Sequence, residues 1–316
     1  MRPSVFIDGR EGTTGLQIDE RLRTRTDIDQ ITIPEALRKD TAARRECLNA
    51  ADLVFLCLPD QAAREAVALI ENPRTRIIDA STAHRTQPGW VYGFPELTPT
   101  RRNEVRAALR VANPGCHATG FLAMVAPLVA AGVLAPDTTI PCHSLTGYSG
   151  GGKAMIVQYG AADRPTDLDA PRIYGLGLTH KHLPEMMAQS GLTAPPLFTP
   201  IVGDYYAGMA VSVLLYRGQL QGGATSEGLR EILAARYEGA RFVTVPPFGG
   251  EETLAQSGFI EANARVGTNQ LEIFVFGNGE QTLITARFDN LGKGASGAAV
   301  QNMNVMLGLD EVAGLL

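Results

Sequence analysis

The sequence contains few cysteines, few histidines and no long apolar run. Four cysteines and five histidines occur among 316 residues, and a run of about 18 apolar residues, the kind that spans a membrane, is missing. The cysteines have neither the spacing of a metal site nor the number that a disulfide framework needs; they are Cys47, Cys57, Cys116 and Cys142. We therefore expect a cytoplasmic protein with reduced thiols, no bound metal and no membrane partner.

The chain also has no excess of positive charge. The formal net charge is −5 at pH 7 and no basic stripe is visible, which argues against a nucleic-acid partner. The chain starts directly with a predicted strand, so we expect no secretory signal. With 45% hydrophobic and 19% charged residues the composition is that of a soluble globular protein, and the length allows two domains with separate cores.

A glycine-rich turn connects the first predicted strand to the first predicted helix. The strand covers Ser4 to Asp8, the helix covers Leu16 to Arg23, and Gly-Arg-Glu-Gly-Thr-Thr-Gly lies between them. Glycines in such a turn let the backbone approach a pyrophosphate, and the helix N-terminus supplies amide donors. The alternative is that glycine serves backbone geometry alone, because the spacing is GxxGxxG rather than GxGxxG. The predicted cofactor-binding residues of this turn are Gly9, Gly12, Thr13, Thr14 and Gly15.

The residues after the second predicted strand, Asp29 to Ile33, bear on the choice of dinucleotide. An NAD site usually has an acidic residue here, which binds the ribose 2′-hydroxyl. Arg38 and Lys39 follow instead and suit the 2′-phosphate of NADP(H), although Glu35 competes for this place. The sequence therefore favours NADP(H), with a solvated pair of loop charges as the alternative.

Strands and helices alternate through the first third of the chain. An apolar strand at Asp52 to Pro59 precedes a helix at Asp60 to Glu71 and a strand at Arg76 to Asp79. This alternation predicts an α/β domain with a doubly wound parallel sheet of Rossmann-like type, whose ligands bind beyond the carboxyl ends of the strands. Ser81 is therefore predicted to contact the cofactor. Arg85 is predicted to bind a phosphate or carboxylate, with a surface salt bridge as the alternative.

Cys116 is the candidate nucleophile. Asn113-Pro114-Gly115 separates it from a short apolar strand, and the apolar run Phe121 to Val133 follows, which places the thiol in the first turn of a helix. The helix dipole and the terminal amides favour an anion there and lower the pKa of the thiol. The alternative, a small buried hydrophobe, is disfavoured because the Pro-Gly turn presents the side chain.

The second half of the chain is rich in strands and poor in helices. This pattern predicts a second, α+β domain with a largely antiparallel sheet, one face of which is free for another subunit. A polar loop at Ser149 to Lys153 and a helix at Ser226 to Tyr237 interrupt the strands. The predicted strands are Thr138 to Gly147, Pro200 to Val202, Met209 to Tyr216, Phe242 to Val245, Gly258 to Val266, Gln270 to Phe276 and Gln281 to Phe288.

Two of the five histidines occur together in Thr-His-Lys-His-Leu-Pro-Glu. Pro184 fits the first position of a helix, so that His182 lies next to the helix N-terminus, where the dipole disfavours the imidazolium. A neutral imidazole suits acid–base catalysis near pH 7. The alternative is that His180 and His182 only cap the helix or pair with Glu185.

Glycines and a helix of small residues lie near the end of the chain. Asn290 and Lys293 precede this helix and are candidates for contact with a nicotinamide. Close packing of the small residues would explain most of the stretch equally well.

Together these motifs resemble those of the semialdehyde dehydrogenase superfamily, and within it the shorter form of the N-acetyl-gamma-glutamyl-phosphate reductase family. Asn-Pro-Gly-Cys followed far downstream by His-x-His-x-Pro-Glu is the specific part, and the length and the first glycine turn indicate the shorter form. The matching motifs span nearly the whole chain in the family's order and are Gly9 to Gly15, Ser81 to Arg85, Gly93 to Leu97, Asn113 to Thr119, His180 to Glu185 and Asn290 to Asn304.

The resemblance implies reductive dephosphorylation of an acyl phosphate, N-acetyl-L-glutamyl 5-phosphate, with NADPH as the reductant, in arginine biosynthesis. Cys116 would attack the acyl carbon, release phosphate and form a thioester. A histidine of the downstream motif, His182 rather than His180, would act as acid and base, with Glu185 to orient it. Asn290 and Lys293 would lie near the nicotinamide.

The resemblance also implies the substrate-binding residues, the domain limits and the assembly. Arg85 would bind the phosphate group, with Asn113 and Lys153 as further substrate-binding candidates. Residues 1–116 and 293–316 would form the NADP-binding domain, and residues 117–292 the catalytic and dimerisation domain of a homodimer or homotetramer. Aspartyl phosphate or a carrier-linked aminoadipyl phosphate is the alternative substrate, and a nucleotide-binding regulator without turnover is the alternative class.

Overall fold

The computed structural model describes residues 2–250, 254 and 258–315, and it divides into two compact units. The first unit comprises Met1–Pro95, Thr100–Pro114 and Ala295–Leu316, and the second comprises Glu96–Pro99 and Gly115–Gly294. A few positions of the predicted domains lie outside the described residues, namely residues 1, 251–253, 255–257 and 316. Cys116 and Lys293, which the sequence placed in the first domain, belong to the second unit.

The strands form two sheets, one in each unit. In chain order they are β1 (Ser4–Asp8), β2 (Asp29–Ile31), β3 (Leu53–Leu56), β4 (Arg76–Asp79), β5 (Val91–Tyr92), β6 (Arg110–Ala112), β7 (Pro141–Gly147), β8 (Arg172–Ile173), β9 (Leu197–Gly203), β10 (Met209–Tyr216), β11 (Val243–Thr244), β12 (Leu271–Gly277) and β13 (Gln281–Phe288).

Helices connect the strands in both units. They are α1 (Thr13–Leu22), α2 (Thr41–Ala50), α3 (Asp60–Leu69), α4 (Arg101–Ala107), α5 (Cys116–Ala130), α6 (Gly152–Gly160), α7 (Leu183–Ser190), α8 (Ser226–Arg236) and α9 (Gly297–Leu307), with a π-helical turn at Gly292–Ser296. None of those in the described part of the chain has the length and apolar character that a bilayer crossing requires.

The sheet of the first unit is parallel throughout, in the order β2-β1-β3-β4-β6-β5. Every residue of β3 is buried, as expected of a strand covered on both faces. Helix α9 packs against α1, α4 and β4, so the end of the chain completes this unit. The predicted Rossmann-like parallel sheet is therefore confirmed.

The sheet of the second unit is mixed, in the order β11-β12-β13-β10-β7-β9-β8. Its long central pairs, β12–β13, β13–β10 and β10–β7, are antiparallel, whereas β7–β9 and β11–β12 are parallel. The predicted α+β domain with a largely antiparallel sheet is confirmed.

Two local predictions for the second unit are wrong. Residues 258–266 contain turns and irregular backbone rather than a strand. Gly258 at the start of this segment and Gly267 directly after it have φ of +88° and +84°, outside the region that strands use. The predicted polar loop that ends at Lys153 is a 3₁₀ turn, Tyr148–Gly151, followed directly by α6. Lys153 is thus an exposed residue in the first turn of a helix.

Helix α5 lies directly on the second sheet because Gly120 has no side chain. A Cβ at this position would lie 2.5 Å from Cγ2 of Val211 on β10 and 2.9 Å from Cε1 of Phe288 on β13. The helix is buried almost all round, from His117 to Leu128. The sheet therefore fixes the axis of the helix whose first residue is Cys116.

Gly120→Ala is expected to lower the free energy of unfolding by about 1–3 kcal/mol, because the added methyl group overpacks a rigid contact. Urea unfolding followed by circular dichroism measures the change. Gly160→Ala at the end of α6 is the matched control, since nothing lies within 4 Å of its added Cβ. Equal losses in the two variants would contradict the close approach of α5 to the sheet.

Candidate functional site

The predicted dinucleotide turn of the first unit has the geometry of a phosphate cradle. Gly9 has φ of +86° and its Cβ would lie 2.4 Å from the carbonyl oxygen of Cys57, while a Cβ on Gly15 would lie 2.5 Å from the carbonyl oxygen of Gly9. A side chain at either position would clash with the backbone, so the turn needs glycine at both places whether or not a ligand binds. At Gly12 the nearest atom is 3.5 Å from an added Cβ. A side chain at Gly12 would not clash with the protein, but it would occupy the space in front of the N-terminus of α1.

Helix α1 begins at Thr13 with its N-terminus open to a ligand. Its N-cap, Gly12, supplies no side-chain hydrogen bond, and its first turn contains no acidic residue. The positive end of the helix dipole is thus not neutralised by a side chain of its own first turn. Together with the glycines, this arrangement fits the pyrophosphate of a dinucleotide.

A cleft of about 680 Å³ next to this turn is lined by both predicted cations, Arg38 and Lys39. The Nη1 atom of Arg38 is 3.8 Å from Glu11 and 4.0 Å from Glu35, and all three side chains are exposed. Such pairs contribute little, so Arg38 is able to turn towards a phosphate. Arg44, which also lines the cleft, is committed to the carboxylate of Asp8 at 2.7 and 3.3 Å.

Ser81 is bound to Asp79 at the end of β4. Its hydroxyl donates to Oδ2 of Asp79 at 2.7 Å and its N–H donates to Oδ1 at 2.9 Å. Nδ1 of His84 lies 2.6 Å from the same Oδ2, and the His84 ring stacks on Trp90. Asp79, which the sequence did not single out, therefore organises the turn after β4. Cofactor contact by Ser81 stays a prediction.

Arg85 and Asn113 are buried and hold the backbone of the first unit. Nε of Arg85 donates to the carbonyl oxygen of Asn113 at 3.0 Å, and Nη2 donates to that of Ala80 at 3.2 Å. The side-chain amide of Asn113 donates to the carbonyl of Ala295 at 3.0 Å and accepts from Asn302 at 3.1 Å. These bonds fix the backbone at the ends of β4 and β6. The predicted contacts of Arg85 and Asn113 with the substrate stay predictions.

Asn290 and Lys293 are buried in the second unit, where each has partners within that unit. Asn290 accepts from the N–H of Gly208 at 2.8 Å and donates to Oγ of Ser149 at 3.0 Å. Nζ of Lys293 donates to both carboxylate oxygens of Glu96 at 2.8 and 2.9 Å, as a buried charge requires. Their contact with a nicotinamide stays a prediction. Glu96 lies in the motif Gly93 to Leu97 that the sequence singled out, but its pairing with Lys293 was not predicted, because the two residues are distant along the chain.

Cys116 is the first residue of α5, as predicted. The preceding N-cap, Gly115, offers no side chain to the helix N-terminus. The N–H of Gly115 donates to Oε2 of Glu185, in the first turn of α7, at 3.1 Å. Gly294 lies against the cysteine, since its added Cβ would be 2.9 Å from Cβ of Cys116. The thiol is partly exposed at the positive end of a fixed helix.

Three histidines, rather than the two that the sequence paired, gather beside this thiol. His182 lies at the start of α7, as predicted, but it is the N-cap, because the helix begins at Leu183 rather than at Pro184. Its Nε2 lies 4.0 Å from Oε1 of Glu185. The ring of His117 lies 5.3 Å from that of His180 and 5.4 Å from that of His182 between centroids. Sequence reasoning missed His117, although its position directly after Cys116 was the available signal.

The environment keeps two of these imidazoles neutral. Burial, with smaller contributions from His180 and Lys181, lowers the pKa of His117 to about 3. Burial and the charge of Lys181 lower the pKa of His180 to about 4. A neutral ring accepts a proton from a thiol or donates its single N–H, but it adds no charge to the site.

The thiol and two of the rings are close enough to share a ligand. Within the described residues, Sγ of Cys116 and one ring nitrogen each of His117 and His182 lie within 4.8 Å of one another. Sulfur and imidazole nitrogen are typical Zn²⁺ ligands. However, Nδ1 and Nε2 of His117 already bind hydroxyl groups at 2.6 and 2.7 Å, so a metal would have to break one of these bonds. The arrangement fits a nucleophile with a neighbouring base.

Comparison with known proteins identifies relatives over the full chain. The family models described as semialdehyde dehydrogenase, NAD binding domain, and semialdehyde dehydrogenase, dimerisation domain, match residues 6–105 and 116–290. A protein of Nostoc sp. strain PCC 7120 named N-acetyl-gamma-glutamyl-phosphate reductase 2 is 48% identical, covering 99% of both chains. The N-acetyl-gamma-glutamyl-phosphate reductase of Burkholderia lata is also 48% identical, covering 99% of this chain and 98% of its own.

Solved structures with the same fold are more distant in sequence. The aspartate semialdehyde dehydrogenase of Francisella tularensis has a TM-score of 0.71 at 14% identity, covering 97% of this chain and 100% of its own. Aspartate semialdehyde dehydrogenase II of Vibrio cholerae, complexed with ASA, has a TM-score of 0.69 at 15% identity, covering 97% and 98%. At this identity the likeness establishes the fold alone.

Iodoacetamide at neutral pH is expected to label Cys116 before the other three cysteines. Burial raises the pKa of the Cys57, Cys142 and Cys47 thiols, which leaves them protonated and unreactive. Peptide mapping by mass spectrometry after brief labelling measures the order, and Cys47, which is also partly exposed, is the internal control. Faster labelling of Cys47 than of Cys116 would contradict an activated thiol at the start of α5.

Proposed function

We propose, from the premise that this chain belongs to the semialdehyde dehydrogenase family, that it catalyses an NADPH-dependent reductive dephosphorylation. The substrate is N-acetyl-L-glutamyl 5-phosphate and the product is N-acetyl-L-glutamate 5-semialdehyde, a step of arginine biosynthesis. The observation that supports this best is the Cys116 thiol at the start of α5 with His182 within 4.8 Å. The names of the full-length relatives support the choice of substrate.

Cys116 performs the first half of the reaction. Its thiolate attacks the acyl carbon, the bond to the phosphate oxygen breaks, and inorganic phosphate leaves with the electron pair, so that a thioester remains on Cys116. Negative charge develops on the carbonyl oxygen during this attack. Backbone N–H groups of the first turn of α5 are suited to stabilise it, since that helix end has no side-chain cap.

His182 manages the proton in the second half. Reduced nicotinamide, when bound, supplies the hydride for the thioester carbon. His182 donates a proton to the oxygen of the resulting thiohemiacetal and takes it back as the carbon–sulfur bond breaks, which releases the aldehyde and the thiolate. Glu185 orients His182 from 4.0 Å and at the same time fixes the turn before Cys116. His180 is the second candidate for this acid–base role.

A nicotinamide dinucleotide fits the residues of the first unit, and we propose NADP(H). Gly9, Gly12 and Gly15 form the cradle for the pyrophosphate at the start of α1, with Thr13 and Thr14 as the first helical donors. Arg38 and Lys39 line the adjacent cleft and are suited to the 2′-phosphate.

An aspartyl or aminoadipyl phosphate is the weaker substrate hypothesis. The aspartate enzymes share the fold at 14–15% identity, whereas the N-acetylglutamyl enzymes match at 48% over almost every residue. For the acyl phosphate itself, Lys153 is the predicted substrate-binding residue with an exposed ammonium group. Arg85 and Asn113 remain predicted contacts.

The assembly that we propose is a homodimer through the second unit. The matching family model is described as a dimerisation domain. Exposed apolar side chains on β9, β10 and β13 provide the surface, namely Leu197, Leu214, Tyr216 and Leu283. A homotetramer and a cytoplasmic location stay predictions.

We expect the protein to reduce NADP⁺ in a phosphate-dependent reaction with N-acetylglutamate semialdehyde. The rate with aspartate semialdehyde should be at least about tenfold lower, because the two substrates differ in length and in the acetyl group. Cys116→Ser should lower kcat by about a thousandfold or more while NADPH still binds, as its fluorescence reports. Cys47→Ser on α2 is the matched control and should retain activity. Equal or faster turnover of aspartate semialdehyde would contradict the proposed substrate.

The double variant Arg38→Ala/Lys39→Ala is expected to lower kcat/KM for NADPH by about tenfold or more, because two cations near the 2′-phosphate are lost. The value for NADH should change little. Arg45→Ala is the control, since Arg45 is also an exposed arginine of the first unit but pairs with Glu71 outside this cleft. Parallel losses with both cofactors would show that these cations do not select NADP(H).

A further inference from the structure

One hydrogen bond fixes which ring nitrogen of His180 carries the proton. The backbone N–H of His182 donates to Nδ1 of His180 at 3.2 Å. A backbone amide is always a donor, so Nδ1 must be the acceptor in this bond. In a neutral ring the single proton is therefore on Nε2. Burial, together with the charge of Lys181, lowers the pKa of His180 to about 4, so the neutral form is the one present near pH 7.

The same bond makes His180 unsuited to proton transfer. Protonation of the ring would place a hydrogen on Nδ1, where it would face the N–H of His182 and break the bond between them. The ring has no other lone pair with which to take up a proton. His180 is therefore suited to donate a hydrogen bond rather than to act as acid and base, and the acid–base role remains with His182.

The Nε2–H group of His180 is available to a ligand. It makes no hydrogen bond with any residue in the part of the chain that the structure describes. The ring is partly exposed and Nε2 is not one of the buried atoms that lack a partner, so this donor reaches solvent. His117 differs in this respect, because both of its ring nitrogens are bound to hydroxyl groups of the protein.

His180 lies at the edge of the cluster that surrounds the thiol. Its ring packs edge to face against those of His182 and His117, at centroid distances of 4.9 and 5.3 Å. One nitrogen of each of these two rings lies within 4.8 Å of Sγ of Cys116, whereas His180 is not part of that group of atoms. A ligand bound at the sulfur would therefore meet His180 with a group other than the reacting carbon.

The turn before His180 has an unfavourable backbone conformation. Leu178 is the one non-glycine residue with positive φ, +56°, among those that the structure describes, and its side chain is exposed, so no burial offsets this conformation. Its N–H donates to the carbonyl oxygen of Gly175 at 2.9 Å, which closes the turn. An added Cβ on Gly175 would lie 3.9 Å from Cδ2 of His180. Local strain of this kind is common where a chain holds a binding group in place.

We propose that Nε2–H of His180 donates a hydrogen bond to an anionic oxygen of the substrate. The proposed acyl phosphate has two groups with such oxygens, the phosphate next to the reacting carbon and the carboxylate at the other end. A hydrogen bond to an anion is roughly twice as strong as one between neutral groups, and a neutral ring makes it without adding charge to the site. This inference rests on the proposed function and assigns His180 to substrate binding.

Two amide variants test the donor and the acceptor of His180 separately. The carbonyl oxygen of asparagine takes the place of Nδ1, so His180→Asn keeps an acceptor for the N–H of His182 but has no donor at the position of Nε2. His180→Gln places an amide N–H near that position and should restore most of the wild-type behaviour.

Protection of Cys116 against iodoacetamide measures anion binding without turnover or cofactor. Inorganic phosphate and N-acetyl-L-glutamate are titrated as protectants, with peptide mapping as the readout. For one of the two anions, the half-protecting concentration should rise about tenfold in His180→Asn and stay near the wild-type value in His180→Gln. A rise for phosphate identifies the phosphate group as the partner of His180, and a rise for N-acetyl-L-glutamate identifies the carboxylate.

Turnover separates binding from proton transfer. In phosphate-dependent reduction of NADP⁺, His180→Asn should raise KM about tenfold for phosphate or for the semialdehyde, with little change in kcat or in the shape of its pH profile. A general base at this position would instead lower kcat by about a hundredfold or more and remove one limb of the profile. His143→Asn, at an exposed histidine of β7, is the matched control and should change none of these values.

Unchanged half-protecting concentrations for both anions in His180→Asn would overturn the proposal. It would also be overturned if His180→Gln were as impaired as His180→Asn, or if neither anion protected the wild-type thiol. Because the ring is partly exposed and asparagine keeps the bond to His182, the folded protein is expected to persist. If the proposed function were wrong, the wild-type protein would not turn over N-acetylglutamate semialdehyde. If only this inference were wrong, the wild-type protein would turn it over and His180→Asn would match it in KM.

Discussion

The carboxylate of Glu185 joins the two segments on which the proposed chemistry depends. One oxygen accepts the N–H of Gly115, immediately before the proposed nucleophile Cys116, and the other lies 4.0 Å from Nε2 of His182. Glu185 is buried in the first turn of α7, where the helix dipole favours its negative charge. Without it, the buried N–H of Gly115 would lose its acceptor, and no shared carboxylate would connect the segments of Cys116 and His182.

Those parts of the site that depend on contiguous residues could be predicted from the sequence. A Pro-Gly turn followed by an apolar run was enough to place Cys116 at the start of α5, and Pro184 was enough to place His182 next to the start of α7. The alternation of strands and helices likewise gave the parallel sheet. In each case the signal is local, because backbone dihedrals and the positions of helix ends are set by neighbouring residues.

Pairing between distant segments could not be predicted in this way. Lys293 and Glu96 are 197 positions apart, and only the folded second unit shows that the ammonium group has a buried carboxylate partner. Asn290 is similar, since its amide holds the backbone at Gly208. The sequence shows that such residues are polar and close to a motif. It does not show whether a ligand or the chain's own backbone uses them, because both offer the same hydrogen-bonding groups.

Neutral imidazole rings avoid the electrostatic repulsion that three close histidines would otherwise cause. Ring centroids 4.9 to 5.4 Å apart would place like charges close together in a poorly solvated environment if the rings were protonated. Burial, reinforced by Lys181, instead holds the pKa values of His117 and His180 far below neutrality. A neutral His180 removes one positive neighbour that would oppose protonation of His182. A neutral His117 removes a second positive neighbour of His182. In the proposed mechanism, this burial leaves His182 as the imidazole that takes up and releases the proton.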